Sequence, residues 1–289
     1  MAFLEQALNG LMMGAIYALF AVGMVLVFGV MRVLNFAHGV IFMAGGYFCQ
    51  AAMAHVVASY PIALLLSALG GALVGVVLER LVFRRLRENL SMQIVASLGL
   101  ILMAQNAIIL IFGPDALQIS VPAMRTTLRL GSLGMTLQQM LIMGVVAVSV
   151  VTLHLFLKRS RLGTAMRAAS EDLQAARVVG INPDRVFALT FAMAGALAAL
   201  GGALLGPLFL VFPGMGDLPL LKGLTAIVLG GMGSVGGAVL GGLAIGVLEA
   251  ESTLFAPTDD RDLVVFGVLI LVLLLRPRGL FGRQMRGEP

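Results

Sequence analysis

Long apolar runs dominate the chain, near residues 11–31, 36–58, 62–82, 93–112, 137–157, 186–212, 218–232, 235–255 and 262–275. A helix needs about 20 mostly apolar residues to cross a bilayer. The pattern therefore predicts an all-α polytopic membrane protein, a single domain over 1–289 built as a bundle of eight or nine transmembrane helices. Composition closes the water-soluble alternative. The chain is 60% hydrophobic and 11% charged, whereas soluble domains carry about 25% charged residues. So few charges cannot coat a water-facing surface, which excludes a soluble enzyme, a disordered protein and a nucleic-acid-binding domain. The net charge of +5 comes from clusters lying between the apolar runs, the pattern of basic loops in a membrane protein.

Two places in this pattern point to irregular spans. The second run opens on Asn35-Phe36-Ala37-His38-Gly39, polar enough for a broken helix. The seventh and eighth runs are glycine-rich and separated only at Gly233-Ser234, so one of them could be re-entrant or discontinuous. The first basic residue, Arg32, follows the first run; residues 11–31 thus read as a retained span and not a cleaved signal. The single cysteine, Cys49, lies within an apolar run and reads as a small buried residue, with no disulfide or metal site implied.

Basic short loops stay in the cytoplasm. Arg80, Arg84, Arg85 and Arg87, the connector 158–185 with Lys158, Arg159, Arg161, Arg167, Arg177 and Arg185, and the tail 276–289 with Arg276, Arg278, Arg283 and Arg286 are therefore expected inside. The 113–136 loop, with Arg125 and Arg129, is expected outside as turns or short strands, as is the acidic stretch 255–262. Nine crossings put the N-terminus outside; eight, with 36–58 re-entrant, put it inside. Gly233, Gly237 and Gly241 recur every four residues, as do Ala238, Gly242 and Gly246, Gly202 and Gly206, and Gly10 and Gly14. Small residues at that spacing let helix backbones approach closely in lipid.

Catalytic signatures do not emerge. Gly231-Met232-Gly233-Ser234-Val235-Gly236 fits a dinucleotide-binding spacing, but no soluble strand–turn–helix surrounds it. A phosphate-binding loop needs a glycine before its lysine, and both lysines, Lys158 and Lys222, follow leucine. The chain therefore holds no nucleotide site of that kind. His38, His55 and His154 are scattered, and Glu249 and Glu251, two apart, face different directions on a helix.

The connector has the clearest internal design. Thr164 is placed to cap a helix from about 165 to 179, Gly180 to end it, and Asn182-Pro183 to start the next. Met166, Ala169, Leu173 and Ala176 share one face of that helix; Arg167, Ser170, Glu171 and Gln174 share the opposite one. An amphipathic cytoplasmic helix between two spans is shaped to dock against a partner or the membrane surface.

Gln174-Ala175-Ala176-Arg177-Val178-Val179-Gly180 resembles the EAA-x3-G loop of ATP-binding-cassette importer permeases, with Gln174 in place of the usual acid. Gly14-x-x-Tyr17-Ala18-Leu19, Asn35 to Gly39, Arg167-Ala168-x-x-Glu171-Asp172 through Gly180-Ile181-Asn182-x-Asp184-Arg185-Val186, Val228-Leu229-Gly230-Gly231-x-Gly233-Ser234 and Arg276-Pro277-x-Gly279-Leu280 resemble the LivH-type permeases of branched-chain amino acid importers, in the LivH/LivM/UrtB group. The resemblance implies a bacterial inner-membrane permease that pairs with a LivM-like second permease. It also implies two cytoplasmic ATPases carrying the ATP and magnesium, a periplasmic amino-acid-binding protein, and no cofactor on this chain. It implies ATPase contact through Met166, Ala169, Glu171, Asp172, Leu173, Gln174, Ala175, Ala176, Arg177 and Gly180.

A translocation pathway needs polar or irregular backbone at membrane depth, tolerated only where it is buried in protein or lines a cavity. Asn35, His38, Gln105, Asn106 and Thr225 are the candidates, with interhelical hydrogen bonding the competing role for each. Leucine, isoleucine and valine are the default cargo implied by the resemblance, and urea or short amides the alternative. A self-sufficient channel or ion-coupled carrier is the other class to weigh. Such carriers hold ionisable groups at mid-membrane, whereas Glu79, Asp217, Glu249 and Glu251 fall toward span ends.

Overall fold

The computed structural model describes residues 2–32, 35–87, 89–130, 133–231, 233–253, 261–276 and 279–280. The acidic stretch 254–260, Pro277 and most of the basic tail, including Arg278, Arg283 and Arg286, lie outside them, as do the side chains of Arg125 and Arg129. Among the described residues every apolar run is a helix: α1 (Ala2–Met31), α2 (His38–His55), α3 (Tyr60–Leu81), α4 (Leu90–Phe112), α5 (Leu137–Arg159), α8 (Pro183–Leu205), α9 (Asp217–Gly230), α10 (Val235–Ser252) and α11 (Arg261–Leu275). Two connector helices, α6 (Arg161–Glu171) and α7 (Leu173–Val178), complete the set. Polar residues mark the starts. Asn89 caps α4, and Thr136 forms a reciprocal capping box with Gln139 at α5. Ser234 caps α10. Each satisfies N–H groups that have no partner within the helix.

Six of these helices, α1, α3, α4, α5, α8 and α10, are long and apolar enough to cross a membrane. The expected eight or nine full crossings are thus not met by length and composition. At about 1.5 Å per residue, α9, with 14 residues, spans about 21 Å against a hydrocarbon core of about 30 Å. α11 has 15 residues. α2 has 18 and starts well inside the bundle, where His38 sits against Phe20 of α1. The chain leaves α1 at Met31 and turns back along it before becoming helical again, which is the irregularity foreshadowed by Asn35 to Gly39. α9 is the second short element: Gly216, just before it, lies against Gly39 just after the start of α2, backbone to backbone.

α1 is the central post, with 83% of its most apolar window buried, against 6% for α4 and 17% for α5. It runs antiparallel to α10, and the glycines make that pairing possible. A Cβ on Gly246 would fall 2.2 Å from the Gly14 nitrogen, and one on Gly242 2.5 Å from the backbone of Ala18. α9 and α10 form a tight hairpin in which Cβ atoms on Gly237 and Gly241 would each fall 2.2 Å from the carbonyl oxygens of Gly230 and Ala226. Gly202 on α8 meets the Phe42 carbonyl in the same way. Gly233 does not belong to this packing set. It sits in the turn between α9 and α10 with φ +91° and nothing near its Cβ position, so its use is backbone conformation, which glycine alone adopts freely.

The 113–136 segment forms a short 3-10 turn at Pro122–Arg125 and an antiparallel hairpin, β1 (Thr127–Leu130) with β2 (Leu133–Thr136). This matches the expected turns and short strands. Leu117 pairs with Val211, joining this segment to the stretch between α8 and α9. Cys49 is buried and unpaired. The molecule thus has two ends. One holds the connector, the arginines near residues 80–87 and the end of α11, where Leu280 donates its N–H to the Leu229 carbonyl. The other holds the N-terminal end of α1, tied to the end of α10 by Gln6 with Ala250 and Thr253.

Candidate coupling surface and polar clusters

The connector folds as two helices, not the single helix expected over 165–179. Ser160, and not Thr164, caps the first by accepting from the Gly163 N–H. Asp172 interrupts the run: its carboxylate accepts from the N–H groups of Gln174 and Ala175 at 2.8 and 2.9 Å. A short acidic side chain offers the backbone an alternative to continuing the helix, so α7 starts afresh at Leu173. The ending follows the sequence. Gly180 has φ +87°, and the N–H groups of Gly180 and Ile181 bond back to the carbonyls of Arg177 and Ala176, a Schellman closure. Asn182 then caps α8, with Pro183 in its first turn.

The connector's apolar face is turned inward. Met166, Ala169 and Ala176 are 1–4% exposed and pack with Val186 and Phe187 of α8, with Leu173 partly buried beside them. Met166, Ala169 and Ala176 therefore anchor the loop to its own bundle, while Asp172, exposed, also caps α7. Glu171, Gln174, Ala175, Arg177 and Gly180 are exposed. The tip carries two residues not singled out by sequence, Val178 and Val179, 88% and 75% exposed. Two bare valines on a cap-closed turn form a small apolar knob.

Behind the connector lies an ionic joint. Glu79, with a wholly buried side chain, is gripped in fork geometry by Arg84 at 2.9 and 3.2 Å and by Arg87 at 2.6 Å. Arg87 also reaches Asp184 at 2.5 Å and lies over the Phe187 ring. The end of α3 is thereby tied to the first turn of α8, immediately after the connector. A cavity of about 510 Å³ opens beside it, lined by Arg84, Arg85, Arg87, Arg177 and Leu173 among others.

The five pathway candidates do not converge on one cavity. Asn35 and His38 sit in the turn before and at the start of α2, both buried, with their side-chain polar atoms unpartnered. Gly23 makes room for the ring: a Cβ there would fall 2.7 Å from His38 Nε2. Gln105 donates to Asp217 at 3.2 Å, linking α4 to the start of α9. Asn106 is exposed and donates to the carbonyl of Leu102 in its own helix. Thr225 is buried and donates to the Leu221 carbonyl. The last two thus bond within their own helices.

A second ionic cluster lies toward the other end. Lys222 of α9 is 1% exposed. Its ammonium hydrogen-bonds Asp262 of α11 and sits 3.5 Å from Glu249 of α10, which accepts from the Tyr17 hydroxyl of α1 at 3.0 Å. A cavity of about 160 Å³ adjoins it.

Comparison with known proteins decides the family. The family profile "Branched-chain amino acid transport system / permease component" matches residues 6–274. The chain belongs to this permease family. It is 37% identical over 97% of its length, and 96% of the relative's, to the high-affinity branched-chain amino acid transport system permease protein BraD of Pseudomonas aeruginosa. The same identity and coverage hold for the corresponding LivH protein of Escherichia coli. The ribose import permease protein RbsC of Bacillus subtilis is similar over a shorter stretch, 33% identical over 44% of this chain. No solved structure matches.

Within this branched-chain amino acid permease family member, the two ionic clusters are what sequence reading passed over. Arg84 and Arg87 read as topology signals, Glu79 as an acid toward a span end, and Lys222 only as a lysine lacking a preceding glycine. The available signal was that a lysine inside an apolar run must find an anionic partner. The identity of that partner was not readable, because Asp262 is 40 residues away.

Proposed function

We propose that this chain is the membrane-spanning permease subunit of an ATP-binding-cassette importer for branched-chain amino acids, in a bacterial inner membrane, with its arginine-rich end in the cytoplasm. The observation that carries the reading is the exposed Val178–Val179 knob on a connector clamped from behind by Met166, Ala169 and Ala176. The high-affinity transport-system names of the relatives support the cargo. The positive-inside rule supports the sidedness.

Two cytoplasmic ATPases, which hold the ATP and magnesium, close on hydrolysable nucleotide and push on α7. The knob sits in a groove of the ATPase, and Gln174, Ala175 and Arg177 supply the polar rim. Because the rear face of the connector is packed on α8, the push moves α6, α7 and the start of α8 together. The joint of Glu79, Arg84, Arg87 and Asp184 passes that motion to α3. The short elements α2 and α9 lie against each other at Gly39 and Gly216. Their relative movement, alongside a LivM-like second permease, opens the path alternately to either side. Solute arrives from a periplasmic binding protein.

The test is the double variant Val178→Asp/Val179→Asp in the assembled transporter. The expected result is loss of ATPase co-purification and at least a tenfold fall in leucine uptake into vesicles, with the permease's melting temperature unchanged because neither side chain packs inside it. Unchanged ATPase binding together with unchanged uptake overturns the coupling assignment.

A further inference from the structure

Four guanidinium groups meet at the cavity beside the ionic joint, and they are not equivalent. Arg84 and Arg87 are committed to Glu79 and Asp184. Arg85 and Arg177 line the same cavity. Both are exposed, and among the described residues neither forms an ion pair. Their N–H donors, one set from the turn after α3 and one from α7, border a space of about 510 Å³, within the range of about 300–1,000 Å³ usual for ligand pockets. Phe187 and Met92 add apolar walls, and among the described residues the lining holds no carboxylate.

A second feature begins at the same place. Met92, on the lining, opens a stripe on α4 that continues through Val95, Gly99, Leu102 and Met103, all of them exposed. At 3.6 residues per turn these positions share one face of the helix. From Met92 to Met103 the helix rises about 16 Å at about 1.5 Å per residue, close to half of a hydrocarbon core of about 30 Å. Gly99 has nothing within 4 Å of its Cβ position, which leaves a notch in the stripe. Only 6% of the most apolar window of α4 is buried, so the bundle itself leaves this face bare.

We propose that the cavity and the stripe together hold one phospholipid of the leaflet at the arginine-rich end, its phosphate in the cavity and an acyl chain along α4. Phosphate oxygens match the planar donor fork of a guanidinium group. Arg85 and Arg177 each offer such a fork without breaking the pairs on Glu79 and Asp184, so what holds the ligand is free donors and not a charge total. Basic pockets between spans are suited to lipid headgroups in this way. A glycerol headgroup fits better than a choline one, whose quaternary ammonium would meet guanidinium groups. An ATPase carboxylate or a free phosphate would use the cavity but leave the stripe unexplained. The bound lipid bridges the α3–α4 turn and the connector, beside the joint that ties α3 to α8.

The experiment reconstitutes the assembled transporter in phosphatidylcholine liposomes holding a trace of phosphatidylglycerol with a diazirine on its acyl chain. Photo-adducts on the peptide spanning 90–103 are counted by mass spectrometry, and the same diazirine on phosphatidylcholine gives the background of bulk lipid. Phosphatidylglycerol is expected to label this peptide at least fivefold more than phosphatidylcholine. Arg85→Gln, at an exposed side chain, is expected to halve that excess or better, and Arg85→Gln/Arg177→Gln to bring it below twofold. Arg177 also borders the surface assigned to the ATPase, so the single Arg85 variant is the cleaner probe. Arg80→Gln, in the same basic cluster but off the lining, is expected to keep the excess. Equal labelling by the two lipids overturns the proposal, as does a loss in Arg80→Gln as large as in Arg85→Gln, which makes the arginines a diffuse surface charge only. Displacement of the labelled lipid by excess glycerol 3-phosphate makes the cavity a free-anion site, and an excess seen only after the ATPases are stripped makes it a seat for them; either result also overturns the proposal. None of these outcomes touches leucine uptake, so the transport reading stands or falls separately.

Discussion

Glu79 shows how much of this molecule's organisation rests on single side chains. Its carboxylate is fully buried at the end of α3 yet charged partners enclose it, because the 3-10 turn at Phe83–Leu86 folds Arg84 and Arg87 back over it. Hydrogen bonds to charged groups contribute about 1.5–3 kcal/mol each when one side is removed. Both arginines keep some solvent contact, at 33% and 21%, which lowers that figure. Glu79→Gln is therefore expected to cost about 2 kcal/mol, read as a drop of several degrees in melting temperature of the detergent-purified chain, with Arg84→Gln, the more exposed partner, costing less. Equal stability of the Glu79 variant and the parent would remove the joint as a structural feature. The sequence showed these arginines as a basic cluster but not the carboxylate beneath them, since a turn of four residues decides which way the guanidinium groups point. Asp172 was opaque for a related reason: an aspartate within an apolar-periodic helix either stays solvated or caps a new helix, and only the packing of Ala176 inward selects the second.

At the scale of helices, glycine spacing was the most readable signal. Gly237, Gly241, Gly242 and Gly246 on α10 do meet α9 and α1 at backbone distance. Gly233 continued the same spacing but falls beyond the helix end, where the four-residue repeat no longer implies a shared face. The distinction can be measured. Gly246 faces Gly14 and Gly10, neither of which has a side chain to move aside, so Gly246→Val forces α10 from α1 and is expected to cost about 3 kcal/mol, near the upper end of overpacking effects. Gly144, on α5, has nothing within 4 Å of its Cβ position. Gly144→Ala is expected to be neutral or to stabilise by about 0.5–1 kcal/mol through helix propensity alone. Thermal unfolding of the two variants side by side checks both, and a Gly246→Val protein as stable as its parent would show that the α1–α10 approach is not tight. Among the described residues the apolar runs located all nine bundle helices but overstated the length of α2, α8 and α10, because hydropathy does not register where a helix stops while the chain remains apolar.

The whole molecule is a bundle whose helices alternate in direction between a basic end and an end poor in basic loops, and that asymmetry supports the proposed orientation. Basic short loops resist translocation, and the arginines of 80–87, the connector and Arg276 all gather at one end. The other end carries the start of α1, the β1–β2 hairpin and the mouth of the cavity at Phe209 and Leu210. If the connector faces the ATPases, this second mouth faces the binding protein, and both conclusions stand or fall on one topology. Cys49, buried and solitary, leaves a silent background for mapping it. Val178→Cys, at the 88% exposed tip, is expected to react with a membrane-impermeant maleimide in inside-out vesicles and not in right-side-out ones. Phe209→Cys, at a position 53% exposed, is expected to react in the opposite pair. Each site is expected to label from one face only. Labelling of Val178→Cys from the outer face would invert the molecule, placing the knob where no ATP-driven partner can reach it.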